Sequence, residues 1–345
     1  TGVSIGGATP LIFSLFGDYY EKFSRIYIAT AIQLSMVIGI FGGQLFSGII
    51  GPTYGWRLPF LLVPIPALII TILFVFTAKE PSRGSREECM IISSSLEYNG
   101  KINCLKINTL IKTKTVILAF LQGIPGCVPW GVIFIFLNDY LAENKGLGVE
   151  GAAGIIFTFG AGGCVGLLFG GWIGQQIYNS DKQYHCIFTG SMAMFGIIPV
   201  IYIINAPVST IGYIILIYFA AFLSGFLCCI TGPNVKAILT NVTLPETRGT
   251  AFAIFNFTDD VGRGGGPYLV ALLIHVCKGR RSAFNIAVCF WVICGTLISF
   301  MACTVEKDEE KVQRVMSTIL GIDREEEIEE DDHTAQSPLL DNRSN

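Results

Sequence analysis

The sequence predicts an all-α polytopic membrane protein of about nine crossings, and three observations predict it. Apolar residues make up 52% of the 345 and charged residues only 14%, a balance outside that of soluble domains. From Gln183 to Val235 no Asp, Glu, Lys or Arg occurs, a run that as helix would extend about 80 Å, more than twice the roughly 30 Å hydrocarbon thickness. The alternating hydrophobicity of a membrane barrel is absent, so helices must satisfy the backbone internally.

The same length test gives each span in order. The first covers 1–16 and stops before Asp18, the second 26–50 opens after Arg25, and the third 58–78 lies between Arg57 and Lys79. Spans 115–138 and 151–178 are bounded by Lys114, Asp139, Glu150 and Asp181. The long uncharged run divides at Asn205-Ala-Pro207 into 184–204 and 209–237, because proline cannot continue a helix. Spans 250–276 and 282–304 follow, separated by Lys278, Arg280 and Arg281. Lysine and arginine favour the cytoplasmic side. With the 79–114 connection cytoplasmic, seventeen basic residues, Lys236 among them, fall on that side against five opposite, namely Arg57, Lys145, Lys278, Arg280 and Arg281.

The chain also repeats itself. An offset of 223 residues pairs Pro10 with Pro233, Arg25 with Arg248, Gly39 with Gly262, Gly42 with Gly265, Gly43 with Gly266 and Arg57 with Arg280, without a gap. Duplicated halves are a common transporter architecture. The repeat predicts that the first half lacks counterparts of spans 115–138, 151–178 and 184–204, so the sequence is expected to be a fragment missing three helices and the start of a fourth.

"WRLPFLLVPIPALIITILFVFTAKEPSRG" (56–84) and "LPETRGTAFAIFNFTDDVGRGGGP" (244–267), set in two halves joined by a charged loop, resemble the major facilitator superfamily and its spinster-like branch. The resemblance covers residues 1–304 and implies helices 4 to 12 of a twelve-helix bundle. It divides the chain into a truncated N-terminal bundle (1–78), a cytoplasmic central loop (79–114), a C-terminal six-helix bundle (115–304) and an acidic cytoplasmic tail (305–345), expected to be disordered. The branch is associated with sphingolipid or lysophospholipid export. In "GGWIGQQIYNSDKQ" (170–183) Gln175 stands where the superfamily's loop signature has Asp. "PETRG" (245–249) is similar to a sugar-porter motif, but there it follows the last helix, which argues against a sugar.

Asp259, Asp260 and Arg263 fall about 14–15 Å into span 250–276, near the bilayer midplane. Ionisable groups there are functional by default. Arg263, four residues after Asp259 and three after Asp260, can reach either from one side of the helix and neutralise one. The other is a candidate proton carrier, because taking a proton lowers its cost. Met36, Val37 and Ile40 occupy the equivalent places in the first half, so the helix itself does not require charges. The alternative is a closed ion-paired cluster with a purely structural role.

Gln122, Trp130, Asn138, Asn234 and Asn256 are candidates to line a central cavity; Trp130 equally suits core or interfacial packing. Asp18 and Arg25, with Glu246 and Arg248 in the matching loop, are candidates for a cytoplasmic gate, or else solvated loop charges. Gly162, Gly166, Gly170 and Gly174 recur every fourth residue, and Gly262 and Gly266 form a second such pair, spacings that let backbones approach. No HExxH or CxxC occurs among the three histidines and eleven cysteines, so neither enzyme chemistry, nor a metal, nor a cofactor is indicated, and nothing suggests nucleic acid. "SPLL" (337–340) hints at endosomal sorting, and plasma and endolysosomal membranes stay equally open. The composite expectation is a secondary transporter that alternates access, couples to protons and carries a lipid-like or small organic substrate. The alternative is a non-transporting sensor or scaffold, or an inactive fragment.

Overall fold

The computed structural model describes residues 2–55, 57–77, 86 and 104–320, and every described element is helical. We number the helices α1 (Gly2–Tyr19), α2 (Arg25–Tyr54), α3 (Arg57–Leu62), α4 (Pro64–Thr77) and α5 (Cys104–Lys112). They continue as α6 (Lys114–Asn144), α7 (Gly148–Ser180), α8 (Lys182–Asn205), α9 (Ile211–Asn241), α10 (Arg248–Val276), α11 (Arg280–Cys303) and α12 (Val305–Leu320). Among the described residues six segments are long and apolar enough to cross a membrane: Phe60–Thr77, α6, most of α7, α8, α9 and α11. Helix α4 is exposed along its whole length and almost purely apolar, as a lipid-facing helix should be.

Packing follows the small residues. Helix α7 lies along α9, α6 along α10 and α11, and α8 along α11. The Gly162–Gly174 stripe faces α9: a Cβ at Gly162 would meet the Phe222 carbonyl, one at Gly166 the Phe226 carbonyl, and one at Gly174 the Asn234 side chain. Gly225 presses back on the Phe159 carbonyl. Any side chain here drives the helices apart, so Gly166→Val is expected to destabilise the protein by about 1–3 kcal/mol or more. Its thermal midpoint by size-exclusion should fall well below that of the parent. An unchanged midpoint would mean that α7 and α9 are not in contact. Gly39, by contrast, has nothing within 4 Å of where a Cβ would stand.

Two sequence expectations need correction. The tail is not disordered from 305: Val305–Leu320 is helical because Val305, Val312 and Met316 recur on one face and are buried. Part of the central loop is also helical, at α5. Lys236 is buried rather than in a solvated loop, because α9 continues to Asn241 and leaves it about 7 Å inside the helix end. The run 323–332 and SPLL lie outside the described residues.

Candidate functional site

Helices α1 and α2 of the first half meet the second half along α10, and along α7 and α9, respectively. Between the halves lies a cavity of about 560 Å³, lined by Gln33 and Val37 from α2 and otherwise by α6 to α11. Local sequence shapes its walls. Helix α9 is interrupted at Ile230, and Pro233 has no N–H to offer the Cys229 carbonyl, so Thr231 and Gly232 line the cavity at a loosened turn. In α6, Pro125 and Pro129 precede π-helical turns at Val132–Phe136 and Tyr140–Asn144, a distortion common at functional sites.

Among the described residues three charged side chains line this space: the buried Lys236, Asp259, and Arg263, whose side chain is 65% exposed. The Lys236 ammonium donates to Gln33 Oε1 at 2.9 Å and stands 4.5 Å from the Phe13 ring centroid. Both partners are neutral, and no carboxylate lies within 4 Å of it among the described residues. Asp259 is half-buried in a notch opposite Gly123, where a Cβ would collide with its carboxylate. Gly262 and Gly266 bring α10 onto α6, a Cβ at Gly262 meeting the Ile124 carbonyl at 2.5 Å. An aromatic group closes the cavity's other wall: Trp130 stacks on Phe134 at 5.3 Å and stands edge-on to Trp291 at 5.8 Å. Trp291 Nε1 donates to the Gly126 carbonyl at 3.0 Å. Cys294 donates to Gln122 Oε1 at 3.2 Å.

The sequence candidates therefore separate. Gln122, Trp130, Asp259 and Arg263 line the cavity. Asp260 does not: it is 64% exposed on the outer face of α10, and it, not Asp259, is the acid beside Arg263, at 4.0 Å. Asn138 is exposed beyond the cavity. Asn234 is wholly buried, because it donates to the Ile230 carbonyl at 2.7 Å and meets His185 Nε2 at 2.8 Å. Asn256 lies outside the lining, with its side-chain nitrogen buried and unbonded. Sequence reasoning missed Lys236, Gln33 and Gly123. One signal for Lys236 was present: at the 223-residue offset it corresponds to Phe13, the residue its ammonium touches.

At the end of the bundle richest in basic residues the halves interlock. Arg25 and Arg248 are wholly buried. Arg25 donates to the Gly17 carbonyl at 2.9 Å and across the halves to Asn241 Oδ1 at 2.8 Å. Arg248 donates to the Thr240 carbonyl at 3.2 Å and lies 3.5 Å from Asp18. At the repeat offset Gly17 corresponds to Thr240 and Asp18 to Asn241, so the two contacts are reciprocal, each arginine tied to its own half and to the mirrored residue opposite. Glu246, two residues before Arg248 in the chain, is also buried. Gln175 accepts the Ile26 N–H at 3.0 Å, where the superfamily signature would set an acid at the start of α2.

A profile of the Major Facilitator Superfamily matches residues 1–267. The chain is similar to a hexuronate transporter of Bacillus subtilis, 23% identical over 83% of this chain and 67% of that protein. It is similar to Protein spinster homolog 1 of Xenopus tropicalis, 23% identical over 93% of this chain and 65% of that protein. A benzoate transport protein of Acinetobacter baylyi is 21% identical over 52% of this chain and 42% of its own length. The chain thus spans two thirds or less of these relatives.

Proposed function

We propose that this chain, which belongs to the Major Facilitator Superfamily, acts as a secondary transporter that alternates access to its central cavity and moves an organic anion together with a proton. The observation that carries the reading is the charge arrangement in the cavity. Two cations, Lys236 and the partly solvent-exposed Arg263, and one carboxylate, Asp259, line a space shared by both halves. Among the described residues this buried ammonium touches a neutral amide and a ring, which leaves attraction for an anion to satisfy. When Asp259 takes a proton, the cavity gains net positive charge and the anion becomes the better partner for Lys236. When the anion leaves, Asp259 returns to its ionised form and balances the cation.

Hexuronate and benzoate, the compounds in two relatives' names, are both carboxylates, which supports this class. The wall of Trp130, Phe134 and Trp291 suits an apolar or ring-shaped body, and a lipid-like anion belongs to the same chemistry. Alternation rests on the closed cytoplasmic contacts Asp18–Arg248 and Arg25–Asn241, which must part for the cavity to open inward.

The test is uptake by proteoliposomes carrying the protein, with an alkaline interior. Labelled glucuronate, and benzoate above its passive level in protein-free vesicles, should accumulate saturably and leak away when a protonophore is added, and neutral benzamide should show no saturable uptake. Equal, unsaturable entry of acid and amide would overturn the reading.

A further inference from the structure

Threonines inside the helices mostly satisfy their hydroxyls locally. Thr30, Thr158, Thr189, Thr240 and Thr296 each donate to the carbonyl four residues back, at 2.7–2.9 Å, a bond that a helix always offers to a hydroxyl. Thr231 does not take it. Its Oγ1 is buried and has no hydrogen-bond partner among the described residues, and the residue lines the central cavity. A hydroxyl shut away from water and left unbonded is unfavourable, and a ligand that bonds it removes the penalty.

Its neighbours make Thr231 one end of a polar strip. It stands at the turn where Ile230 interrupts α9 and Pro233 offers no N–H. Gly232 leaves that turn open toward α2, for a Cβ there would stand 3.0 Å from Gln33 Nε2. Gln33 spans the strip: its Oε1 accepts from the Lys236 ammonium at 2.9 Å, while its amide nitrogen lies over Gly232. Thr231 precedes Lys236 by five residues, about 7.5 Å along the helix axis, so the hydroxyl and the ammonium address opposite ends of one small molecule. Trp130, Phe134 and Trp291, which also line the cavity, are left for the apolar body between those ends.

We propose that Thr231 is a specificity-determining residue and that the preferred substrate is a hydroxylated carboxylate, with its carboxylate on Lys236 and a hydroxyl at the far end of the molecule bonded to Thr231. The threonine hydroxyl can donate to or accept from that group, and the Gln33 amide nitrogen can donate to it. A carboxylate lacking the hydroxyl still meets the cation but leaves Thr231 unsatisfied. The proposal rests on the organic-anion reading of the cavity and adds the second anchor to it.

The experiment measures binding of labelled benzoate, 4-hydroxybenzoate and 2-hydroxybenzoate to the detergent-solubilised protein. The 4-hydroxy acid differs from benzoate by one hydroxyl set across the ring from the carboxylate, whereas the 2-hydroxy acid carries it beside the carboxylate. The parent should bind 4-hydroxybenzoate about three- to tenfold more tightly than benzoate, the worth of a neutral hydrogen bond, and 2-hydroxybenzoate no more tightly than benzoate. Thr231→Val, which keeps the shape and removes the hydroxyl, should erase the preference for the 4-hydroxy acid, and Thr231→Ser should keep it. Each protein is read as a ratio of two affinities, so a general loss of affinity or of folded protein does not imitate the result. Equal binding of benzoate and the 4-hydroxy acid by the parent, an equal gain for the 2-hydroxy acid, or an undiminished preference in Thr231→Val would overturn the hydroxyl site and leave the anion reading standing. No saturable binding of any of these acids would overturn both.

Discussion

Lys236→Gln is expected to reduce saturable uptake of organic anions by at least about thirtyfold, since truncating one member of a desolvated charge pair typically costs roughly 2–5 kcal/mol. The ammonium is the cavity's most buried cation, and its partners Gln33 and Phe13 supply no negative charge. An anion in the cavity would be its natural counter-ion. Lys236→Arg, which keeps the charge, should retain a substantial part of uptake. Binding of a labelled acid to detergent-solubilised protein reports the same loss without transport. If Lys236→Gln binds acids like the parent, the anion does not sit on Lys236 and the substrate class must be reconsidered.

Asp259→Asn is the second large effect. The variant should fail to accumulate substrate against its gradient while still exchanging labelled for unlabelled substrate at equilibrium, because binding and rocking remain but no proton is carried. Asp260→Asn, on the outer face and paired loosely with Arg263, should accumulate within about threefold of the parent, in line with the small worth of exposed pairs. Measuring accumulation and exchange on the same vesicles separates the two carboxylates. Loss of accumulation in Asp260→Asn with retention in Asp259→Asn would reverse the assignment.

The helices were legible because charge-free runs of span length leave few alternatives in a bilayer. Their interruption at Asn205-Ala-Pro207 was legible for the same reason, since proline ends what hydrophobicity would continue. The repeat offset was legible too, and the reciprocal Arg25 and Arg248 contacts are its structural expression. Helix α12 escaped because its acidic residues resemble a solvated tail; only the face carrying Val305, Val312 and Met316, and the pairing of the buried Glu309 with Lys22 and Lys182, give it a reason to fold.

The cavity was harder to read. A polar residue in a span can face a cavity or satisfy itself locally, and Asn234 does the latter by bonding the carbonyl four residues back. Lys236 was misplaced because a charge near a predicted span end reads as a helix terminus. The polar residues after it, Thr240 and Asn241, are buried instead, which places the end of α9 further on. Asp259 and Asp260 are adjacent, so a helix turns them about 100° apart, and only the position of α6 decides which one meets the cavity. Gly123, whose missing side chain makes room for Asp259, leaves no mark in a chain rich in glycine.

The most direct test follows the proton itself. Purified protein in weakly buffered detergent solution is mixed with a carboxylate substrate near neutral pH, and the pH change is recorded as binding saturates. A carboxylate that gains its proton as the anion binds predicts uptake of about one proton per bound anion at most, reciprocal with a pH-dependent affinity, and no uptake in Asp259→Asn. Saturable binding with no proton uptake by the parent, or the same uptake by Asp259→Asn, would contradict the coupling of Asp259 to the anion.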